Sequence, residues 1–236
     1  MIVRHKKLFL LGLILSVAFL IVLSYMFTPN FNGTNAFHAS DNLFNSISKG
    51  STYYIPQVAE DAKLFDGKQF QTTIFEDETR LIPYAKTILM KNGLKITDTA
   101  KGILVSGDLG SLMARVLEDA DAMFKNAGPT LSNKYAMDEK QAMYVWWKTM
   151  KEIKSALDQQ KSFRAAVFID KNIIKRAIEV GYNYYGIEGQ DAAHRWGILL
   201  FSLLFYVVYT LWWGYGIFFM CEGLGLEMKA GKKQEM

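Results

Sequence analysis

Four side chains in this sequence could together hold a divalent metal ion or a quinone head group. Asp191 and His194 are three residues apart, so they share a face if they lie on a helix. His38 and Asp41 could join them if the two ends of the chain are neighbours, because imidazoles and carboxylates bind such metals. Alternatively, all four are solvated residues beside a membrane helix that Asp191 caps. A carboxylate-bridged di-metal site needs the Asp-x-x-His type of motif twice, which weakens the metal interpretation.

The remaining reactive-looking patterns are explained by structural roles. The glycine-rich stretch 106–111 lacks the Gly-Lys-Ser/Thr ending of a phosphate loop, so a helix cap is expected there. Five methionines lie between residues 113 and 150 without Met-x-x-Met spacing, which favours core packing over copper binding. We therefore predict no catalytic residue and expect no cofactor, although a site that one sequence does not reveal stays open.

Composition separates the middle of the chain from its ends. The chain has 236 residues and a net charge of +4. Residues 28–196 contain 21 of the 27 basic residues and 20 of the 23 acidic residues, so this stretch is almost neutral. No basic stripe suggests nucleic-acid binding. Cys221 is the single cysteine, which excludes disulfides and cysteine-bound metals from the middle domain.

Two apolar runs are long enough to cross a membrane. Residues 8–27 form the first run and residues 197–221 form the second, each without a charged residue. Twenty helical residues span roughly 30 Å, the thickness of the hydrocarbon core. The first run is longer than the apolar part of a signal peptide, and Thr34-Asn35-Ala36 is a distant cleavage site. An uncleaved anchor is the preferred interpretation, and cleavage is the alternative.

Basic residues near the ends predict the orientation. Arg4, Lys6 and Lys7 precede the first run, and Lys229, Lys232 and Lys233 follow the second. Loops and tails rich in lysine and arginine remain in the cytoplasm. We therefore expect cytoplasmic tails at residues 1–7 and 222–236, with residues 28–196 outside. The expected location is the inner membrane of a bacterium, with the middle domain in the periplasm.

The composition of the second run predicts helix packing. Tyr209, Trp212 and Trp213 lie inside the run, where lipid offers no partner to polar groups. Small residues four apart let helix backbones approach closely, and this spacing occurs at Gly12 and Ser16 and again at Thr210 and Gly214. Two interpretations stay open: the two runs pack on each other, or the second run packs on other membrane subunits.

The middle domain has mostly helical periodicity. Apolar residues recur three or four apart in several segments, the clearest of which follow Asp108 and Asp138. Short alternating or apolar stretches at 70–75 and 102–107 predict at most a small β-hairpin. The expected fold is mainly α, with two transmembrane helices flanking a helical extracytoplasmic domain.

Three functions are compatible with this layout. The first is a non-catalytic accessory or scaffold subunit of a larger membrane complex, whose partners are lipid and either other membrane subunits or a second copy. The second is a ligand-sensing module, since two spans around a helical domain are similar in layout to bacterial chemoreceptor input modules. Its short tails would require a partner protein to carry the signal. The third is a membrane enzyme with an unrecognised site.

Overall fold

The computed structural model describes residues 3–226, so Lys229, Lys232, Lys233 and most of the predicted C-terminal tail lie outside the described residues. The protein is mainly helical, at 71%, with a small three-stranded antiparallel sheet. It divides into two compact units. One unit is Ser48–Gly189, and the other contains the described residues on either side of it.

Two helices are long and apolar enough to cross a membrane, judged by length and composition. They are α1 (Lys6–Met26) and α10 (Trp196–Leu224). The sequence predicts both helices, because about 18 or more consecutive apolar residues are typical of a membrane-spanning helix. The two helices pack against each other in the terminal unit. A short 3₁₀ turn, Ala192–Arg195, precedes α10, and Asp191 caps it.

The Ser48–Gly189 unit is built from short helices around one apolar core. The helix α2 (Ala36–Ser51) leads into it. Asp108 accepts a hydrogen bond from the Ser111 amide at 2.7 Å, which confirms the predicted cap at this position. The other helices are α3 (Ile55–Ala62), α4 (Ile82–Lys91), α5 (Leu109–Phe124), α6 (Pro129–Tyr135), α7 (Glu139–Gln159), α8 (Phe163–Phe168) and α9 (Glu179–Asn183).

The predicted hairpin is a three-stranded antiparallel sheet of order β1-β3-β2. The two strands expected from the sequence are β1 (Gln69–Ile74) and β3 (Gly102–Asp108), and they do pair. The expectation missed β2 (Lys95–Thr99), which forms the actual hairpin with β3. Four of the five residues of β2 are exposed, so this edge strand carries almost no apolar signal.

A π-helical segment, Ile169–Ile178, joins α8 to α9. The sequence indicated one helix here and did not distinguish its type. Hydrogen bonds from i to i+5 place residues four and five apart on the same face. The buried residues of this segment have that spacing: Ile169, Ile173, Ile174, Ala177 and Ile178.

The largest fully buried side chain is Trp146 on α7. The methionines predicted to pack in the core do so: Met113, Met123, Met143 and Met150 are fully buried, and Met137 packs against the core. Because the thioether chain is flexible, methionine fills irregular gaps between helices that cross at different angles.

Candidate functional site

The four proposed metal ligands lie on two separate segments of the terminal unit. Asp191 accepts a hydrogen bond from the Ala193 amide at 2.9 Å and lies 3.3 Å from the Nδ1 atom of His194. The Ala193 hydrogen bond holds the pKa of Asp191 below its usual value. Both side chains of this pair are largely exposed.

His38 and Asp41 each interact with an asparagine on α2. The Nδ2 atom of Asn42 lies 3.1 Å from Nδ1 of His38, and Asn45 donates to Asp41 at 3.1 Å. In the part of the chain that the structure describes, no group of three or more His, Cys, Asp or Glu residues could hold a metal ion. The structure therefore pairs Asp191 with His194 but does not assemble the four residues into one site.

Close backbone approach defines the interface between α1 and α10. A Cβ atom added to Gly12 would lie 2.5 Å from the backbone nitrogen of Met220 and 2.7 Å from the carbonyl oxygen of Gly216. A Cβ atom at Gly223 would lie 2.5 Å from the backbone of Phe9. Small residues at these points let the two helix backbones come close together, which strengthens the van der Waals packing between them.

Aromatic side chains also pack between α1 and α10. Phe19 is 6% exposed and stacks on Tyr209 with ring centroids 4.2 Å apart. It also contacts Trp213 at 4.5 Å and meets the edge of Trp212 at 6.0 Å. The Trp212 indole donates a hydrogen bond to the Leu15 carbonyl at 3.0 Å, so this polar group is satisfied between the helices.

Two of the predicted packing residues lie away from α1. Thr210 donates to the carbonyl of Tyr206 in its own helix at 2.9 Å, and a Cβ atom at Gly214 would meet nothing within 4 Å. Ser16 instead approaches Gly216, which the sequence analysis missed. Gly216 and Gly223 are seven residues apart and share a face, which is the signal that would have identified them.

The outer side of α10 retains large exposed side chains. Tyr206 is 65% exposed and Tyr215 is 55% exposed, and neither hydroxyl has a hydrogen-bond partner among residues 3–226. Tyr206 is ten residues from the start of α10, or about 15 Å along the helix axis. Tyr206 and Tyr215 are nine residues apart and project about 180° from each other, so they lie on opposite flanks of the part of α10 that does not contact α1.

Asp119 is the most buried acidic group in a hydrogen-bonded cluster of the Ser48–Gly189 unit. It is 2% exposed and accepts hydrogen bonds from Trp146 at 2.7 Å, Lys134 at 2.9 Å and the Tyr135 hydroxyl. Burial and the neighbouring carboxylate raise the pKa of Tyr135. The three donors to this carboxylate are two uncharged ring groups and a lysine that neutralises it, which is the pattern of a stabilising core network.

A second polar cluster surrounds Phe75, which is fully buried with φ at 62°. This left-handed conformation is unusual for a bulky residue. The Glu152 carboxylate accepts the Phe75 amide hydrogen, and Lys148 pairs with Glu78. Burial raises the pKa of Glu152, opposed by the hydrogen bond from Phe75.

A third cluster centres on Lys49, which is 6% exposed. Its ammonium donates to the carbonyl oxygens of Ile187 at 2.5 Å and Tyr184 at 3.2 Å, and to the Asn126 side chain at 3.2 Å. It also lies 5.0 Å from the centre of the Phe124 ring. Burial lowers the pKa of Lys49, and the charge of Glu188 opposes that shift.

A cleft of about 300 Å³ lies between α3 and α5. Most of its lining is apolar, and it also includes Tyr53 and Asp121, whose side chains are hydrogen-bonded to each other at 2.7 Å. The lining residues are Tyr53, Ile55, Pro56, Ala59, Ala114, Leu117, Glu118 and Asp121.

The terminal unit thus combines a closely packed α1–α10 interface with exposed side chains on the rest of α10. No family model, curated protein or solved structure matches the chain.

Proposed function

We propose that this protein is a non-catalytic accessory or scaffold subunit, anchored in a membrane by α1 and α10. The observation that carries the proposal is the two-sided character of α10. One side is packed against α1 through Gly216 and Gly223, and the opposite side carries Gly214. The exposed Tyr206 and Tyr215 lie on the two flanks of that open side, because nine residues turn an α-helix by about 180°. A scaffold needs such a second face to bind a partner.

The chemistry of the exposed tyrosines supports a protein partner on that face. In the proposed orientation, Tyr206 lies near the middle of a hydrocarbon core roughly 30 Å thick. Lipid tails offer no hydrogen-bond acceptor at that depth, so a hydroxyl there gains from a neighbouring helix. Gly214, two turns further along α10, leaves room for that helix to approach.

The proposed orientation places both ends of the chain in the cytoplasm and the Ser48–Gly189 unit in the periplasm of a bacterium. Its support is the distribution of basic residues in the sequence, with Arg4, Lys6 and Lys7 before the first apolar run. The partner is another membrane subunit or a second copy of the chain.

Co-purification tests the proposal. The native protein is extracted in mild detergent, and its partners are identified and quantified by mass spectrometry. A stoichiometric membrane protein, or a second copy detected by native mass measurement, supports the scaffold function. A monomer without a stoichiometric partner contradicts it.

A pair of glycine variants tests whether the partner binds the side of α10 that faces away from α1. Gly214→Leu should reduce recovery of the partner about tenfold, the loss expected from roughly 1.4 kcal/mol of binding free energy. Gly197→Leu is the matched control, because a Cβ atom there also meets nothing within 4 Å but lies at the first turn of α10. Equal recovery with both variants would place the partner elsewhere.

The cleft between α3 and α5 favours ligand sensing as a second candidate function. Its mostly apolar lining with a few polar groups fits a small, partly apolar molecule. A compound that raises the unfolding temperature of the purified protein in a concentration-dependent way would support sensing. Loss of that shift in the Ala114→Trp variant, which fills the cleft, would place the compound there.

A further inference from the structure

The chain enters and leaves the Ser48–Gly189 unit at two neighbouring segments. Lys49 lies in the last turn of α2, just after the unit begins. Residues 184–188 lie just before the unit ends and have no regular secondary structure. The Lys49 ammonium contacts the carbonyl oxygens of Tyr184 and Ile187, although these residues are 135 and 138 positions away in the sequence.

Asn126 holds the same segment from the end of α5. Its side-chain oxygen accepts the Gly186 amide hydrogen at 2.8 Å, and its side-chain nitrogen donates to the Ile187 carbonyl at 3.1 Å. The same nitrogen donates to the Glu188 carboxylate at 2.9 Å. Asn126 has φ at 60°, a conformation that asparagine tolerates better than most residues.

These contacts pair the Lys49 ammonium with oxygen atoms of residues 184–188 and of Asn126. A lysine ammonium has three donors, and Lys49 uses them on three oxygen atoms. The Tyr184 and Ile187 carbonyl groups lie outside helices and strands, so these donors supply the hydrogen bonds that regular secondary structure would otherwise provide. The Phe124 ring beneath the ammonium adds a cation–π attraction that the burial of Lys49 strengthens.

We propose that Lys49 and Asn126 form a latch that closes this unit where the chain enters and leaves it. The latch positions residues 184–188 against the end of α2, so that a displacement of one connection also displaces the other. Breaking the latch releases residues 184–188 while the helical core stays folded. This role is independent of the proposed scaffold function, because it concerns only contacts within Ser48–Gly189.

In the terminal unit, the residues next to the latched segments are also hydrogen-bonded to each other. The Gln190 amide donates to the Ser46 carbonyl at 2.9 Å. These two residues follow and precede the latched segments, so both connections remain paired through consecutive contacts.

Hydrogen exchange measured by mass spectrometry on the full chain in detergent tests the latch. In Lys49→Met, amides in a peptide covering residues 185–190 should exchange about tenfold faster, because local opening no longer breaks the ammonium contacts. Peptides from α5 and α7 should keep their protection. Lys63→Met is the matched control, since the Lys63 side chain is exposed and pairs with the equally exposed Glu60.

Two outcomes would overturn the latch. One is unchanged exchange at residues 185–190 in Lys49→Met. The other is an equal loss of protection in α5 and α7, which would make Lys49 a general core residue. Asn126→Gly provides a second variant that tolerates the positive φ and removes the side-chain contacts. It should show the same local increase in exchange.

A covalent replacement of the latch distinguishes positioning from general stability. A Cβ atom at Gly189 would lie 3.7 Å from the Cγ atom of Lys49, so Lys49→Cys and Gly189→Cys place two thiols side by side for an oxidative cross-link. In a Cys221→Ser background, oxidation of this pair should restore slow exchange at residues 185–190, and reduction should abolish it. Fast exchange in the oxidised, cross-linked protein would contradict the proposal.

Discussion

At the scale of single residues, Asp119 is a buried carboxylate that accepts hydrogen bonds from three side chains. The carboxylate is buried against Trp146 and Lys134, so removing it leaves donors and a lysine charge without their partner. Asp119→Ala should lower the free energy of unfolding by about 3–5 kcal/mol, measured by denaturant titration with tryptophan fluorescence. Glu118→Ala is the control, because Glu118 pairs with Arg115 in solvent, and it should cost less than about 1 kcal/mol. Equal losses for the two variants would contradict this assignment.

Because of Glu152, we expect the free energy of unfolding to depend on pH. Burial raises its pKa above the ordinary value of 4.5, so the folded protein binds a proton more readily than the unfolded chain. The contribution of this group is therefore fully present below pH 4.5 and is lost as the pH rises through the raised pKa. Lys148, Glu78 and Asp77 act on the same group and are part of this balance.

A glutamine variant isolates that contribution, because Glu152→Gln has no titrating proton and keeps an acceptor for the Phe75 amide. Unfolding free energies of both proteins are measured from pH 7 down to pH 4. The wild-type protein should gain stability relative to the variant as the pH falls. Curves that remain parallel over this range would contradict the raised pKa.

At this scale the sequence predicts contacts between residues a few positions apart, but it does not predict contacts between residues far apart in the chain. The caps of Asp108 and Asp138 follow from residues three positions apart, and both are present. The contact of Lys49 with Ile187 spans 138 positions, and nothing in the local pattern around either residue indicates it. The proposed grouping of His38 with His194 required such a distant contact, and the described residues form no such cluster.

At the scale of elements, the α1–α10 interface depends on residues that lack a side chain. Gly12→Leu should separate the two helices, because its Cβ atom alone would lie 2.5 Å from the Met220 backbone. Oxidative cross-linking of Ser16→Cys to Gly216→Cys, in a Cys221→Ser background, reports their proximity. Gly12→Leu should reduce cross-linking about tenfold, a loss of roughly 1.4 kcal/mol.

Gly214→Leu is the matched control for this interface, since its Cβ atom meets nothing within 4 Å. It should leave cross-linking unchanged while reducing recovery of the membrane partner. The same variant therefore separates the inner and outer faces of α10. Reduced cross-linking in Gly214→Leu, or normal cross-linking in Gly12→Leu, would show that the faces are assigned wrongly.

The elements themselves differ in how well the sequence predicts them. Long apolar or amphipathic helices such as α5 and α10 carry a strong periodic or hydrophobic signal. The exposed edge strand β2 carries little, and the π-helical segment Ile169–Ile178 has a spacing of apolar residues close to that of an α-helix. The inner face of α10 could not be chosen in advance, because small residues occur on more than one side of it.

At the scale of the whole molecule, the proposed function depends on how the chain is placed in a membrane. The length and composition of α1 and α10 are sufficient for two spans, and the basic residues near the first span predict the orientation. The scaffold proposal depends on this placement, since the outer face of α10 needs a partner only if lipid surrounds it.

Labelling of single cysteines with a membrane-impermeant maleimide tests this placement most directly. In a Cys221→Ser background, Glu60→Cys places a thiol on the exposed surface of the Ser48–Gly189 unit, and His5→Cys places one just before α1. In intact bacterial cells stripped of their outer membrane, we predict labelling of the Glu60→Cys protein alone, with labelling of His5→Cys only after the inner membrane is broken. Labelling of His5→Cys in the intact cells, or protection of Glu60→Cys, would contradict the proposed topology and the scaffold function that depends on it.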